Sequence, residues 1–303
     1  MRLSNEDLLL GIDIGTQGVK GAIVSLDGKV VAEAFLEHSC QYPHVGWVEH
    51  DIERNWWQNP CWVIRKMLGE NEVNPEQIKA VFPSGLHPNF GPTDENGNPI
   101  YGAILYSDNR AVRELDEINQ KYHLKLTSEE MIPKLVWFVR HEPETASRMK
   151  KFFDAAQYFV YKLCGAYVTD TISVGGWGAI YHSPSCSWKE EVCEELGIDP
   201  SILPQAVAPL TVVGEVHHKA AMETGLAKGT LVAAGTNDVT ASTISGGATK
   251  TSEAIAYYGT AGLLPVMKVD MDFALRHPFP HEEKGERPQD GYLYDYPAYC
   301  LTT

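Results

Sequence analysis

Two apolar runs, Leu8–Ile14 and Val19–Val24, flank the four residues Gly15-Thr16-Gln17-Gly18. β-Branched and aliphatic residues bounded by glycines predict two strands joined by a tight hairpin. Gly28 closes a second turn and Val30–Phe35 reads as a third strand. The period then changes. Ile52–Leu68 has the apolar spacing of a helix entered through Asp51 as N-cap, and Gln77–Ser84 reads as a buried strand. Ala103–Tyr106 is a short strand, and Ala111 to Leu163 reads as helical with interruptions at Pro133 and Pro143. Gly165–Gly178 is irregular, Trp188–Leu196 and His217–Thr224 are helical, and Pro200, Pro204 and Pro209 mark a rigid connection between them. Leu231–Ala234 is a strand that runs through Gly235-Thr236-Asn237-Asp238 into a helix at Val239–Ile244. Strands followed by alternating helices and strands predict an α/β fold. The run Ala254–Gly262 echoes the opening pattern of an apolar strand, Gly-Thr and a further Gly. Such an echo predicts a duplicated fold. From Met267 onward periodicity fades and the tail reads as loop.

With 303 residues, 44% hydrophobic and 21% charged, the chain has the composition of a globular protein with a sizeable core. A net charge of −15 argues against a nucleic-acid or anionic-membrane surface. Cys40, Cys61, Cys164, Cys186, Cys193 and Cys300 contain no CxxC pair, so neither a zinc site nor a disulfide framework is expected. Reduced thiols, no basic-then-apolar leader and no run of 18 apolar residues make a cytoplasmic location the expectation.

The opening hairpin is the first candidate for chemistry. Gly15 and Gly18 let the main chain approach a ligand, and successive N–H groups beside the Thr16 hydroxyl can hold phosphate oxygens. Asp13, at the end of the first strand, is placed for Mg2+, a hard cation that takes oxygen ligands. An ordinary hairpin with a strand-end carboxylate explains the same residues. No GxxxxGK[ST] is present, which sets P-loop chemistry aside.

Six segments in order resemble the FGGY family of carbohydrate kinases, in its xylulokinase-like branch. They are Ile12–Lys20, Gly46–Asp51 with Trp56-Trp57, Ser84-Gly85-Leu86-His87, Tyr106–Arg110, Gly235–Asp238 and Tyr258–Gly262. The resemblance implies an actin/Hsp70/hexokinase-like (ribonuclease H-like) domain, a mixed sheet flanked by helices, with a second domain that is truncated. It divides the chain into a sugar-binding domain at 1–248 and the incomplete start of a nucleotide-binding domain at 249–303. It implies transfer of the ATP γ-phosphate to a sugar or polyol hydroxyl, with ATP and Mg2+ as cofactors and a pentulose such as xylulose favoured. Mapped by motif, Asp238 is the catalytic base and also touches the sugar, and Asp13 supports Mg2+. Gly15, Thr16 and Gln17 meet the phosphates from one side, Gly259 and Thr260 from the other. By the same resemblance, His87, Asp108 and Arg110 would bind sugar hydroxyls.

Each role has a plainer counterpart. Asp238 could be a helix N-cap, His87 could bond its own loop, and Asp108 and Arg110 could clasp each other. Trp47, Trp56 and Trp57 read as packing, and His217-His218 carries no assigned chemistry. Leu86, Pro88, Tyr106 and Gly175–Gly178 depart from the family pattern around the sugar pocket, which leaves the sugar open. Since positioning dominates phosphoryl transfer, a chain with little of the nucleotide domain is expected to be a poor kinase alone. It reads as a fragment, or as half of a split enzyme whose second chain, or a homodimer, completes the site. The alternative is a non-catalytic sugar-binding or sensing module.

Overall fold

The computed structural model describes residue 4 and residues 6–177, 179–182, 185–250, 252–255, 257–258, 262–263, 266–267, 271–276 and 294–295. Seven strands form the main sheet: β1 Leu8–Ile14, β2 Gly18–Ser25, β3 Val30–Glu37, β4 Ile78–Gly85, β5 Val212–Glu215, β6 Leu231–Ala233 and β7 Thr236–Asn237. Their order is β5-β6-β4-β1-β2-β3, with β7 continuing beside β4 past the end of β6. Strands β1, β6 and β7 run parallel to β4, whereas β1, β2 and β3 form an antiparallel meander. The predicted hairpin and third strand are therefore present, the latter two residues longer than expected.

Alternation along β1 sends Leu8, Leu10, Ile12 and Ile14 into the core and leaves Leu9, Gly11 and Asp13 on the opposite face. The covered face packs against α1 (Asn59–Glu70), α5 (Ala155–Cys164) and α7 (His218–Thr224), through side chains such as Val63, Met67, Tyr158 and Phe159. A second core joins α2 (Val112–Tyr122) and α3 (Met131–His141) to Phe90, Phe152 and Trp177. Helix α8 (Asp238–Ser245) stands on the open face, where it and the sheet bound a cavity of about 1070 Å³.

Asp51 caps as expected, its Oδ1 accepting from Arg54 N–H at 2.9 Å. A π-helical turn, Arg54–Gln58, precedes α1. That wider turn breaks the 3.6 period and buries both adjacent tryptophans, Trp56 and Trp57. Pro133 does not interrupt a helix. It lies in the first turn of α3, where no N–H is needed, and Pro143 opens the short helix α4 (Pro143–Ala146). The break between α2 and α3 comes instead at His123, a left-handed C-cap with φ 54°. Two short strands, Lys151–Phe153 and Val168–Asp170, occupy stretches read as helical and irregular. Helix α6 is only Glu190–Glu195, because Trp188 belongs to a short strand. His217 caps α7, its Nδ1 accepting from Ala220 N–H at 3.0 Å. The five described cysteines are free thiols. No helix among the described residues is long and apolar enough to cross a membrane.

Candidate active site

Three parallel strands end side by side and set the centre of the site. In register, Asp13 of β1 faces Ser84 of β4, which faces Thr236 of β7. Ser84 Oγ donates to Asp13 Oδ1 at 2.8 Å, orienting that carboxylate. Gly235 makes the junction between β6 and β7. Its φ of +77° is left-handed, and a Cβ there would strike the carbonyl oxygen of Pro83 on β4. Only glycine lets the chain kink this close to β4 and deliver Asn237 and Asp238 to the strand ends. Asn237, not Asp238, is the N-cap of α8, accepting from Thr240 N–H at 2.8 Å. The Asp238 carboxylate accepts only from Val239 N–H, at 2.8 Å, among the described residues, and lines the same cavity as Asp13 and Ser84. Burial, and then the Asp13 charge, push its carboxyl from 3.8 up to about 7 against the opposing pull of His87.

His87 follows β4 and is held from behind. Its Nδ1 lies 2.9 Å from Asp154 Oδ2, and Asp154 Oδ1 accepts from Asn89 N–H at 2.5 Å. Among the described residues its Nε2 has no hydrogen-bond partner. Burial disfavours the imidazolium, but the charge of Asp154, backed by Asp170 and Asp238, raises His87 above its ordinary value. Asp154 occupies the N-cap position of α5 without capping it, its oxygens being spent on His87 and Asn89. Asp170, at the end of its short strand, accepts from Thr236 Oγ1 at 3.1 Å and Ser173 N–H at 3.0 Å. It thereby ties β7 to the loop beneath it. Sequence reasoning missed both aspartates; the only signal, an Asp beside an apolar run, is shared by many caps.

Outside the cavity lining, Tyr106 interacts with Thr16 and lies in the field of Asp238. Glu130, raised to about 7 by burial, faces His87 and Lys134. Lys134 has no accessible surface and donates to the carbonyls of Tyr106, Ser128 and Glu129 at 3.0, 2.9 and 2.7 Å.

Asp108 and Arg110 take the clasp arrangement. Arg110 Nε and Nη2 donate to the two Asp108 oxygens at 2.9 and 2.7 Å, and Nη2 also reaches Glu49 at 2.7 Å. Neither side chain has accessible surface, and the guanidinium stacks on Trp47 with 3.8 Å to the ring centre. Spent on each other and sealed from the cleft, they do not present the sugar-binding surface the sequence led us to expect. Gly15, Thr16 and Gln17 form the β1–β2 turn, closed by Gly15 N–H donating to Gly18 O at 2.9 Å. Gly259 and Thr260 lie outside the described residues.

Residues 8–245 match the model of the FGGY family of carbohydrate kinases, N-terminal domain. The chain belongs to the FGGY family. The matched stretch runs from β1 to the end of α8 and contains every described candidate from Asp13 to Asp238. Among curated members, a xylulose kinase of Staphylococcus xylosus is 27% identical over 274 residues, 88% of this chain and 56% of its own length. An autoinducer-2 kinase of Salmonella typhimurium is 28% identical over 76% of this chain and 46% of its own length. A solved structure, the xylulose kinase of Rhodospirillum rubrum, superimposes with a TM-score of 0.78 at 26% identity, covering 86% of this chain and 55% of that one. The fold is thus that of the actin-like sugar kinases, and the chain spans about half the length of the curated relatives it matches.

Proposed function

We propose that the chain is the sugar-binding and base-bearing half of an ATP-dependent carbohydrate kinase, with residues 1–248 as the sugar domain and 249–303 as the start of the nucleotide domain. The observation that carries this reading is Asp238. It is a cleft carboxylate relieved of capping by Asn237, with a proton affinity pushed up to about 7. A base poised near neutral pH can take the proton of an acceptor hydroxyl as its oxygen attacks the γ-phosphorus of ATP. His87, fixed through Nδ1 by Asp154, offers Nε2 to a neighbouring sugar hydroxyl.

Among the described residues no cluster of three or more His, Cys, Asp or Glu could hold a metal alone. That fits Mg2+ in a kinase, which is bound through one or two carboxylates, phosphates and its own waters. Asp13, with one oxygen oriented by Ser84, would hold it, and the ion supplies neutralisation of phosphate charge. The N–H groups of Thr16 and Gln17, with no partner among the described residues, suit the phosphates of ATP. Pentuloses are the favoured acceptors, because relatives named xylulose kinases match both sequence and fold.

The test is a calorimetric and coupled-assay panel of D-xylulose, other ketoses, polyols and glycerol, with and without MgATP, on the wild-type chain and Asp238→Asn. Turnover that disappears in the variant while sugar binding persists supports the kinase. Sugar binding without turnover in the wild type identifies a sensing module, or a half-site that a second chain or a homodimer completes; mixing with a nucleotide-domain partner separates those two.

A further inference from the structure

Beside the β1–β2 turn, and not among the residues that line the cavity, two histidines meet edge to face with ring centres 4.9 Å apart. His38 Nε2 lies 3.0 Å from the carbonyl oxygen of Gly15, and His50 Nε2 lies 3.1 Å from that of Thr16. The opposite ring atoms decide which nitrogens carry protons. Trp56 Nε1–H can only donate, and it does so to His50 Nδ1 at 3.1 Å. The Asn59 amide nitrogen likewise donates to His38 Nδ1 at 3.0 Å. Both Nδ1 atoms therefore accept, both protons sit on Nε2, and both Nε2–H groups donate to the turn. Burial, joined by the neighbouring His38, pushes His50 down to about 4, and burial lowers His38, so the two rings are neutral. Cys40 Sγ, 3.5 Å from His50 Nε2, completes the cluster.

In a trans peptide the C=O and the following N–H point in opposite directions. The Gly15 carbonyl shares its plane with Thr16 N–H, and the Thr16 carbonyl shares its plane with Gln17 N–H. Pulling both carbonyls toward the histidines turns both N–H groups the other way. Those are the two turn donors that have no partner among the described residues. We infer that His38 and His50 are positioning residues which, as neutral Nε2–H donors anchored by Asn59 and Trp56, aim the amides of Thr16 and Gln17 at a phosphate group. The inference rests on the phosphate reading of this turn. A free turn can rotate either peptide and lose a donor; this one is held from behind and needs no reorganisation when the anion arrives.

The experiment uses the full chain labelled with 15N. Sodium phosphate is titrated while the Thr16 and Gln17 amide signals are followed in the wild type, His38→Ala, His50→Ala and His50→Gln. The glutamine amide can accept from Trp56 and donate to Thr16 as the imidazole does. Saturable shifts at both amides in the wild type and His50→Gln, with affinity roughly tenfold weaker in the alanine variants, support the inference; that is the loss expected for one charge-assisted hydrogen bond. Equal phosphate affinity in all four proteins overturns it while leaving the phosphate reading in place. No response at Thr16 or Gln17 in the wild type overturns the phosphate reading and the inference together. Where an alanine variant fails to fold, the imidazole 15N shifts of the wild type decide: protons on Nε2 in both rings support the inference, and a proton on either Nδ1 overturns it.

Discussion

Asp238→Asn should make this protein more stable, and by an amount that depends on pH. The native carboxyl is pushed from 3.8 up to about 7, by burial first and the Asp13 charge second. In the unfolded chain it returns to its ordinary value. Below pH 3.8 both states are protonated, and the substitution is nearly neutral. Between 3.8 and about 7 the unfolded chain has released its proton and the native one has kept it. Relative to the variant, the wild type therefore loses about 1.4 kcal/mol per pH unit across this window. Above about 7 both states are ionised and the penalty is constant at about 4 kcal/mol, an upper bound for a half-buried group that water partly screens. Asparagine keeps an oxygen for Val239 N–H and carries no charge, so it escapes this loss. Urea denaturation of both proteins at half-unit steps from pH 5 to 8.5 should show a gap that widens with pH and then levels. Asp13→Asn should narrow the gap at pH 8 by removing the neighbouring charge. A gap that is constant across the range would refute the raised proton affinity, and with it the main support for Asp238 as the base.

Three further outcomes are expected. Gly235→Ala combines a left-handed backbone with a collision on Pro83 and should cost about 2–4 kcal/mol; a melting point within about 2 °C of wild type would show that β4 can yield. Arg110→Ala leaves Asp108 and Glu49 buried without their cation and should cost about 3–5 kcal/mol in urea unfolding; a loss under about 1 kcal/mol would mean that water reaches the pair. Asp154→Asn removes the charge that overrides burial at His87, so the imidazole should titrate lower than in the wild type when followed by NMR. An unchanged titration would assign that field to Asp170 and Asp238 instead.

What could be read from the sequence was whatever the chain keeps local. The hairpin, the Asp51 cap and the Gly235–Asp238 turn are contiguous, and their residue types state the backbone conformation they need. Asp154 and Asp170 were invisible because their partners, His87 and Thr236, lie 67 and 66 residues away. Asp108 and Arg110 were noticed for a sound reason, yet their role turned on Glu49 and Trp47, which close over the pair from another segment. The π-helical turn could not be seen by counting in steps of 3.6. The adjacent tryptophans it buries, Trp56 and Trp57, were its one visible trace.

Lys134 has a consequence for redesign. Its ammonium has three protons, and each is given to a carbonyl of a different residue, Tyr106, Ser128 or Glu129. Two loops remote in sequence are thus pinned to one atom, and the loop behind Glu130 cannot be lengthened or exchanged without releasing the one behind Tyr106. Anyone grafting a new acceptor preference onto this scaffold should move the two loops and the lysine together, as a single cassette. Libraries that randomise one loop alone will sample mostly proteins whose other loop has lost its anchor.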